Sequence, residues 1–131
     1  MKKITKTILI VEDETALLEI LKDTFDREGF NVLEAKDGSE GLKKALKNKP
    51  DLILLDIVMP TMDGITMIKK LREHKDGVEI PVLFLSNLTE YERVTEVLGV
   101  RRNIVDHLTK SDSSIEGLVG KVKKALAVAE K

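Results

Sequence analysis

The sequence predicts an α/β domain in which five parallel strands form one doubly wound sheet covered by five helices on its two faces. Two observations predict this class. Short apolar runs rich in β-branched residues or leucine alternate along the chain with longer segments whose apolar residues recur at helical spacing. The longest runs are unbroken rather than interrupted by polar residues, as expected for strands that are buried on both faces of a parallel sheet.

Five apolar runs mark the predicted strands. Pro81 immediately precedes the fourth run, where its missing N–H group is tolerated because the strand has not yet begun. Strands that alternate with helices pair in parallel, because each helix carries the chain back to the other end of the sheet. In chain order the runs occupy residues 8–11, 32–33, 52–55, 82–85 and 104–105.

Five stripes of apolar residues mark the predicted helices. Lys49 and Pro50 end the second helix, and the sequence from Ser113 to Glu116 has the spacing of a capping box that starts the last one. In chain order the stripes consist of Leu17, Leu18, Leu21 and Phe25; of Leu42, Ala45 and Leu46; of Ile65, Ile68 and Leu71; of Val94, Val97 and Leu98; and of Ile115, Leu118, Val119, Val122 and Leu126.

The composition fits one domain with a packed core and a solvated surface. The chain has 131 residues, of which 42% are hydrophobic and 34% are charged. We therefore expect a single domain over residues 1–131, with its core at about residues 6–128 and no room for a second domain. Lys and Arg (22) nearly balance Asp and Glu (23), so we expect no direct contact with nucleic acid or with a membrane.

Two absences narrow the possible functions further. The sequence has no cysteine, which excludes disulfides, thiolate metal sites and cysteine nucleophiles. The basic N-terminus is followed by an apolar run of only four residues (8–11), which is too short for a signal peptide or a membrane span. We therefore expect a cytoplasmic domain.

Polar and charged residues follow the predicted strands at their carboxyl ends. Glu12 and Asp13 follow the first strand and Asp56 follows the third, while Ser86 follows the fourth and Lys110 lies shortly after the fifth. Open parallel sheets bind their ligands at this edge, near the point where the strand order reverses. We therefore expect three carboxylates, a hydroxyl group and an ammonium group to meet there.

This set of groups is suited to phosphoryl transfer. Carboxylates held close together repel one another unless a cation lies between them, and Mg²⁺ binds such oxygen ligands while keeping several waters. A lysine and a hydroxyl donor can bind the oxygens of a phosphoryl group, and a carboxylate can act as the nucleophile. We predict that Asp56 is this nucleophile, with Ser86 and Lys110 beside it and Mg²⁺ as the cofactor.

An ordered set of residues at these strand ends carries a resemblance to a known family. The set consists of residues 8–14 (ILIVEDE), residues 54–60 (LLDIVMP), Asp63, Gly64, Ser86 and Lys110. Over nearly its whole length the chain resembles the receiver domains of two-component response regulators. The resemblance implies a flavodoxin-like sheet with strand order 2-1-3-4-5. It also implies a signalling protein, not an enzyme, that a sensor histidine kinase or a phosphotransfer protein phosphorylates on Asp56.

The resemblance implies a role for each residue of the metal site. Asp13, Asp56 and the backbone carbonyl of Val58 would bind Mg²⁺, and Glu12 would act largely through a bound water. Lys110 would pair with the phosphoryl oxygens.

The resemblance also implies how the signal leaves the site. Ser86 would move to hydrogen-bond the phosphoryl group, and His107 occupies the family's switch position, which usually holds tyrosine or phenylalanine. A downstream protein or a second copy of the chain would then bind the face formed by the predicted fourth helix and the fifth strand.

Three residues depart from the family's pattern and leave an alternative open. Asn87 stands where a small residue is usual, His107 replaces the aromatic switch residue, and Ser111 replaces the proline that usually follows the lysine. All three lie on the output side of the predicted site. The alternative function is therefore a receiver-like interaction module that signals through binding alone, without phosphorylation.

Other roles compete with the proposed ones at single positions. Asp13 could serve as the N-cap of the first helix, and Ser86 could cap a loop. A phosphohydrolase that acts on external substrates is not expected. Enzymes of that kind place a second acid/base carboxylate two residues after the nucleophile, and Val58 occupies that position here.

Overall fold

A single parallel sheet organises the fold. The computed structural model describes residues 5–57, 59, 61–85, 104–108 and 115–129, with the backbone alone in 104–108, 115 and 127–129. Within this part the strands pair in the order β2-β1-β3-β4-β5, and every pairing is parallel, which confirms the predicted class and strand order. The strands are β1 (Thr7–Val11), β2 (Asn31–Ala35), β3 (Leu52–Asp56), β4 (Val82–Leu85) and β5 (Ile104–Leu108).

The helices alternate with the strands. Those in the described part of the chain are α1 (Thr15–Arg27), α2 (Gly38–Asn48), α3 (Gly64–Arg72) and α4 (Ile115–Ala129), and a short 3₁₀ helix (Lys75–Gly77) follows α3. The predicted helix around Val94, Val97 and Leu98 lies outside the described residues, as do Ser113 and Ser114 of the predicted capping box. None of the described helices combines the length and the apolar character that a membrane crossing requires.

The core divides into two layers, one on each face of the sheet. Successive side chains of a strand point to opposite faces, so Leu9 and Val11 lie in one layer while Ile8 and Ile10 lie in the other. The first layer includes buried residues of α2 and α3, and the second includes buried residues of α1 and α4. The unbroken apolar runs of the central strands therefore serve both layers at once, as the sequence predicted.

The register of β1 and β3 determines which residues become neighbours at the carboxyl edge of the sheet. Val11, the last residue of β1, pairs with Leu55, so the following Glu12 comes level with Asp56. On the other side of β3, Asp56 pairs with Leu85, the last residue of β4. Asp56 therefore ends the middle strand of the sheet between the ends of its two neighbours.

Candidate functional site

Three carboxylates meet at the carboxyl edge of the sheet. Glu12, Asp13 and Asp56 each offer one carboxylate oxygen, and these oxygens lie within 4.8 Å of one another. Glu12 and Asp13 come from the end of β1, and Asp56 comes from the end of the adjacent β3. The structure thus brings together the three acidic residues that the sequence placed at this edge.

The three carboxylates differ in their access to solvent. Glu12 is 0% exposed and Asp56 is 3% exposed, whereas Asp13 lies at the surface. The backbone fixes Glu12, because its N–H donates to the carbonyl of Ala35 at 3.0 Å and its Oε2 accepts from the N–H of Glu14 at 3.2 Å. The cluster is therefore buried at Glu12 and Asp56, where hydrogen bonds hold Glu12 in place, and it is open to solvent at Asp13.

Asp13 does not cap the first helix. The N-cap residue of α1 is Glu14, which makes no hydrogen bond from its side chain to the helix. Asp13 precedes this position, so the capping role considered for it from the sequence is wrong. Its carboxylate instead belongs to the acidic cluster.

The donor set of the cluster fits a hard divalent cation. All three groups offer carboxylate oxygens, which Mg²⁺ and Ca²⁺ prefer, and two of the three residues are almost fully buried. Gathering like charges in a poorly hydrated place is unfavourable, and a cation between them relieves the repulsion. Glu12, Asp13 and Asp56 are therefore the described residues that could hold such an ion.

Backbone hydrogen bonds hold described residues of the chain that follows Asp56. The N–H of Gly64, at the start of α3, donates to the carbonyl of Ile57 at 2.7 Å. The N–H of Gly38, at the start of α2, donates to the carbonyl of Met62 at 2.9 Å. The sequence analysis included Gly64 in the set of residues that carries the family resemblance, but it missed Gly38 and Met62. The only signal for Gly38 was its place in the turn after the second predicted strand.

The remaining predicted site residues cannot be placed beside the cluster. Val58, Ser86 and Lys110 lie outside the described residues. His107 lies on β5, where its backbone pairs with that of Phe84, but its side chain is not described. Their roles therefore stay predictions from the sequence.

A family comparison identifies the class of protein that has this fold and this site. The model of the response regulator receiver domain matches residues 8–123, which include the acidic cluster and all of the five strands except Thr7, the first residue of β1. The chain belongs to the response regulator receiver domain family.

Curated relatives support this assignment. The chain is 40% identical over 111 residues to the alkaline phosphatase synthesis transcriptional regulatory protein PhoP of Bacillus subtilis, covering 85% of this chain and 45% of that protein. It is 38% identical over 119 residues to the transcriptional regulatory protein SrrA of Staphylococcus aureus, covering 91% of this chain and 47% of that protein. The chain thus spans about half the length of the curated relatives it matches.

Solved structures give the same answer for the fold. The chemotaxis response regulator CheY4 of Vibrio cholerae superposes with a TM-score of 0.80 at 26% identity, covering 93% of this chain and 99% of that chain. A putative response regulator from Chloroflexus aurantiacus gives a TM-score of 0.80 at 30% identity, covering 95% of this chain and 99% of that chain. The fold is therefore the flavodoxin-like α/β fold of receiver domains, as predicted.

Proposed function

We propose that the chain is the phosphoacceptor receiver of a two-component signalling system and that it is phosphorylated on Asp56 in a Mg²⁺-dependent reaction. The observation that carries this proposal is the meeting of Glu12, Asp13 and Asp56 at the carboxyl edge of the sheet. Membership of the receiver family supports it, because that family signals through phosphoryl transfer to an aspartate.

The surroundings of the three carboxylates favour Asp56 as the acceptor. Glu12 is 0% exposed, so a bulky donor protein cannot reach it. Asp13 lies at the surface, where water solvates its charge. Asp56 is 3% exposed and ends the middle strand, which combines a narrow access with a poorly hydrated carboxylate. This combination suits a nucleophile that must react with a phosphoryl donor rather than remain solvated.

The metal site would consist of Asp13, Asp56 and the backbone carbonyl of Val58, with Glu12 acting through a water molecule. When bound, Mg²⁺ would neutralise charge on the carboxylates and on the phosphoryl oxygens. The hydrogen bond from the N–H of Glu14 to Oε2 of Glu12 holds that carboxylate in a fixed orientation toward the site. A carboxylate that is already oriented avoids reorganisation when the cation and its water molecules bind.

The reaction is a transfer between two residues. An oxygen of the Asp56 carboxylate would attack the phosphorus of a phosphohistidine on the donor protein. A new P–O bond forms while the P–N bond breaks, and the leaving imidazole nitrogen keeps the electron pair. Lys110 would balance the charge of the phosphoryl oxygens, and Ser86 would hydrogen-bond one of them. The phosphoryl group stays on this chain, so the chain is an acceptor rather than an enzyme for external substrates.

The partners follow from this role. A sensor histidine kinase or a phosphotransfer protein would supply the phosphoryl group. The face formed by the predicted fourth helix and β5 would bind a downstream protein or a second copy of the chain, with Ser86 and His107 as switch residues. One relative, RpaA of Synechocystis, is described as a DNA-binding regulator. For this chain, whose net charge is -1, we propose that the signal passes through protein contacts rather than direct contact with nucleic acid.

Chemical phosphorylation tests the proposal. The protein is incubated with acetyl phosphate, with Mg²⁺ or with a chelator, and its intact mass is measured. We expect the mass of one phosphoryl group to be gained only with Mg²⁺, and to be lost on treatment with hydroxylamine, which cleaves acyl phosphates. A stable or Mg²⁺-independent adduct would contradict phosphorylation of a carboxylate in a metal site.

The alternative interaction module keeps some support from the sequence. Asn87, His107 and Ser111 depart from the family's pattern on the output side. Beryllofluoride, which mimics a phosphoryl group on aspartate, separates the two functions. Affinity for a downstream partner that changes with beryllofluoride and Mg²⁺ supports the phosphorylation switch, and an unchanged affinity supports the alternative.

A further inference from the structure

The first residue of α2 touches the chain that follows the acceptor strand. The N–H of Gly38 donates to the carbonyl oxygen of Met62 at 2.9 Å, although the rest of α2 and the whole of β3 lie between these two residues in the sequence. Met62 belongs to the β3–α3 loop, of which the structure describes Ile57, Met59 and residues 61–63. Gly38 is buried, and a Cβ atom at this position would lie 3.0 Å from the carbonyl carbon of Met62 and closer still to its oxygen. Only a residue without a side chain allows the two backbones to approach in this way.

A second glycine, Gly64, brings the end of the same loop close to the backbone of β3. The N–H of Gly64 donates to the carbonyl of Ile57 at 2.7 Å, and a Cβ atom at Gly64 would lie 2.5 Å from the backbone oxygen of Asp56. Thr61 has a φ angle of 66°, a left-handed conformation that a β-branched residue adopts only when its surroundings hold it. The loop therefore depends on outside contacts, and Gly38 supplies one of them.

We infer that Gly38 is a positioning residue for the acidic cluster. By holding the carbonyl of Met62, it fixes the end of the loop at which Gly64 packs against the backbone of Asp56. A loop displaced by a side chain at position 38 would shift the Asp56 carboxylate relative to Glu12 and Asp13. This inference rests on the proposed function, because it concerns how well the cluster binds Mg²⁺.

The coupling must act in both directions. If the contact between Gly38 and Met62 favours cation binding, then cation binding favours that contact by the same free energy. Residues that orient metal ligands without touching the metal typically change its affinity by about 10- to 100-fold when they are substituted. Gly38 acts on the cluster indirectly, first through its contact with Met62 and then through the contact of Gly64 with the backbone of Asp56, so we expect an effect near the lower end of that range.

Titration of Mg²⁺ into purified variants tests the inference. Gly38→Ala should bind Mg²⁺ roughly tenfold more weakly than the unmodified protein. Gly120→Ala is the matched control, because Gly120 lies on α4 and a Cβ atom there would meet nothing within 4 Å. Val122→Ala is a second control, since Val122 is buried on α4 in the opposite core layer and its truncation lowers stability without touching the loop.

The outcomes separate a positioning role from a purely structural one. Weakened Mg²⁺ binding in Gly38→Ala, with normal binding in both control variants, supports the inference. If Gly38→Ala is destabilised as Val122→Ala is but binds Mg²⁺ normally, the inference is wrong. If the unmodified protein itself binds no Mg²⁺, the proposed function is wrong, and the inference about Gly38 is wrong with it.

Hydrogen exchange in the unmodified protein provides a test that does not depend on any variant folding. The N–H of Gly38 donates to Met62, whereas the N–H of Gly41, one turn further along α2, donates to Asp37 at 2.9 Å. Adding Mg²⁺ should slow exchange at Gly38 more than at Gly41. Equal slowing at both positions would mean that Mg²⁺ stabilises α2 as a whole, which would overturn the inference.

Discussion

Two aspartates at opposite ends of the same strand have different surroundings. Asp51 directly precedes β3 at the amino edge of the sheet. Its Oδ2 accepts from the N–H of Thr7 at 2.7 Å, and its own N–H donates to the carbonyl of Thr7 at 2.8 Å. Asp56 ends β3 at the carboxyl edge, where it lies beside the carboxylates of Glu12 and Asp13. Asp51 thus connects the starts of β1 and β3 by hydrogen bonds, whereas Asp56 is part of a cluster of three carboxylates.

The difference follows from the direction of the strands. In a parallel sheet all carboxyl ends meet at one edge, so residues that follow different strands become neighbours there. At the amino edge the side chains tie strand starts together, as the Nδ2 of Asn31 does when it donates to Oγ1 of Thr7 at 3.2 Å. Residue type alone therefore does not assign a role, whereas the end of the strand does.

The largest expected contrast between the two aspartates is in stabilisation by Mg²⁺. A ligand present at about a hundred times its dissociation constant raises the free energy of unfolding by about 2.7 kcal/mol. We expect this gain in the unmodified protein and in Asp51→Asn, but most of it should be absent in Asp13→Asn. Urea unfolding followed by circular dichroism, with NaCl of equal ionic strength as the control, measures it. If Mg²⁺ raises the free energy of unfolding of Asp13→Asn as much as that of the unmodified protein, Asp13 does not bind the cation.

A second contrast concerns stability without a cation. Asp51→Ala removes the acceptor of the Thr7 N–H and should lower the free energy of unfolding by about 1–2 kcal/mol. Its affinity for Mg²⁺ should not change, because the amino edge lies at the other end of the strand. Urea unfolding in the presence of a chelator, together with a Mg²⁺ titration, checks both statements. A weakened affinity would show that the two edges are coupled.

The smallest expected effect has the opposite sign. In Mg²⁺-free buffer, Asp13→Asn should raise the free energy of unfolding by up to about 1 kcal/mol, because it removes one of several like charges at close range. Added salt should reduce the gain through screening. Asp76→Asn is the matched control, because Oδ2 of Asp76 lies 3.8 Å from Nζ of Lys49 in an exposed ion pair. This variant should lower the free energy of unfolding by up to about 1 kcal/mol. A loss in Asp13→Asn would mean that its carboxylate is not repelled in the cluster.

The sequence predicted the central strands more accurately than the edge strands. The predicted runs at 52–55 and 82–85 agree with β3 and β4 to within one residue. In contrast, the runs at 32–33 and 104–105 are shorter than β2 (Asn31–Ala35) and β5 (Ile104–Leu108). Both of these strands lie at the edges of the sheet, where polar residues such as Glu34 and Asp106 are tolerated, so apolar runs underestimate their length.

The acidic cluster could be predicted from the sequence, whereas the backbone contact that holds the neighbouring loop could not. Glu12, Asp13 and Asp56 each follow a buried apolar run, and the parallel topology then brings them to one edge. The contact between Gly38 and Met62 joins two backbones, and backbone groups leave no pattern of residue types in a sequence. Contacts of this kind depend on the packing of α2 beside the β3–α3 loop, which is known only once the fold is complete.

The comparison of Asp56→Asn with Asp51→Asn tests the central claim most directly. Each variant removes one carboxylate charge from an end of β3 and is treated with acetyl phosphate and Mg²⁺ before its intact mass is measured. We predict that Asp51→Asn gains the mass of one phosphoryl group, as the unmodified protein does, and that Asp56→Asn gains none. A phosphoryl adduct of equal yield on Asp56→Asn, while its circular dichroism shows an intact fold, would contradict phosphorylation at Asp56.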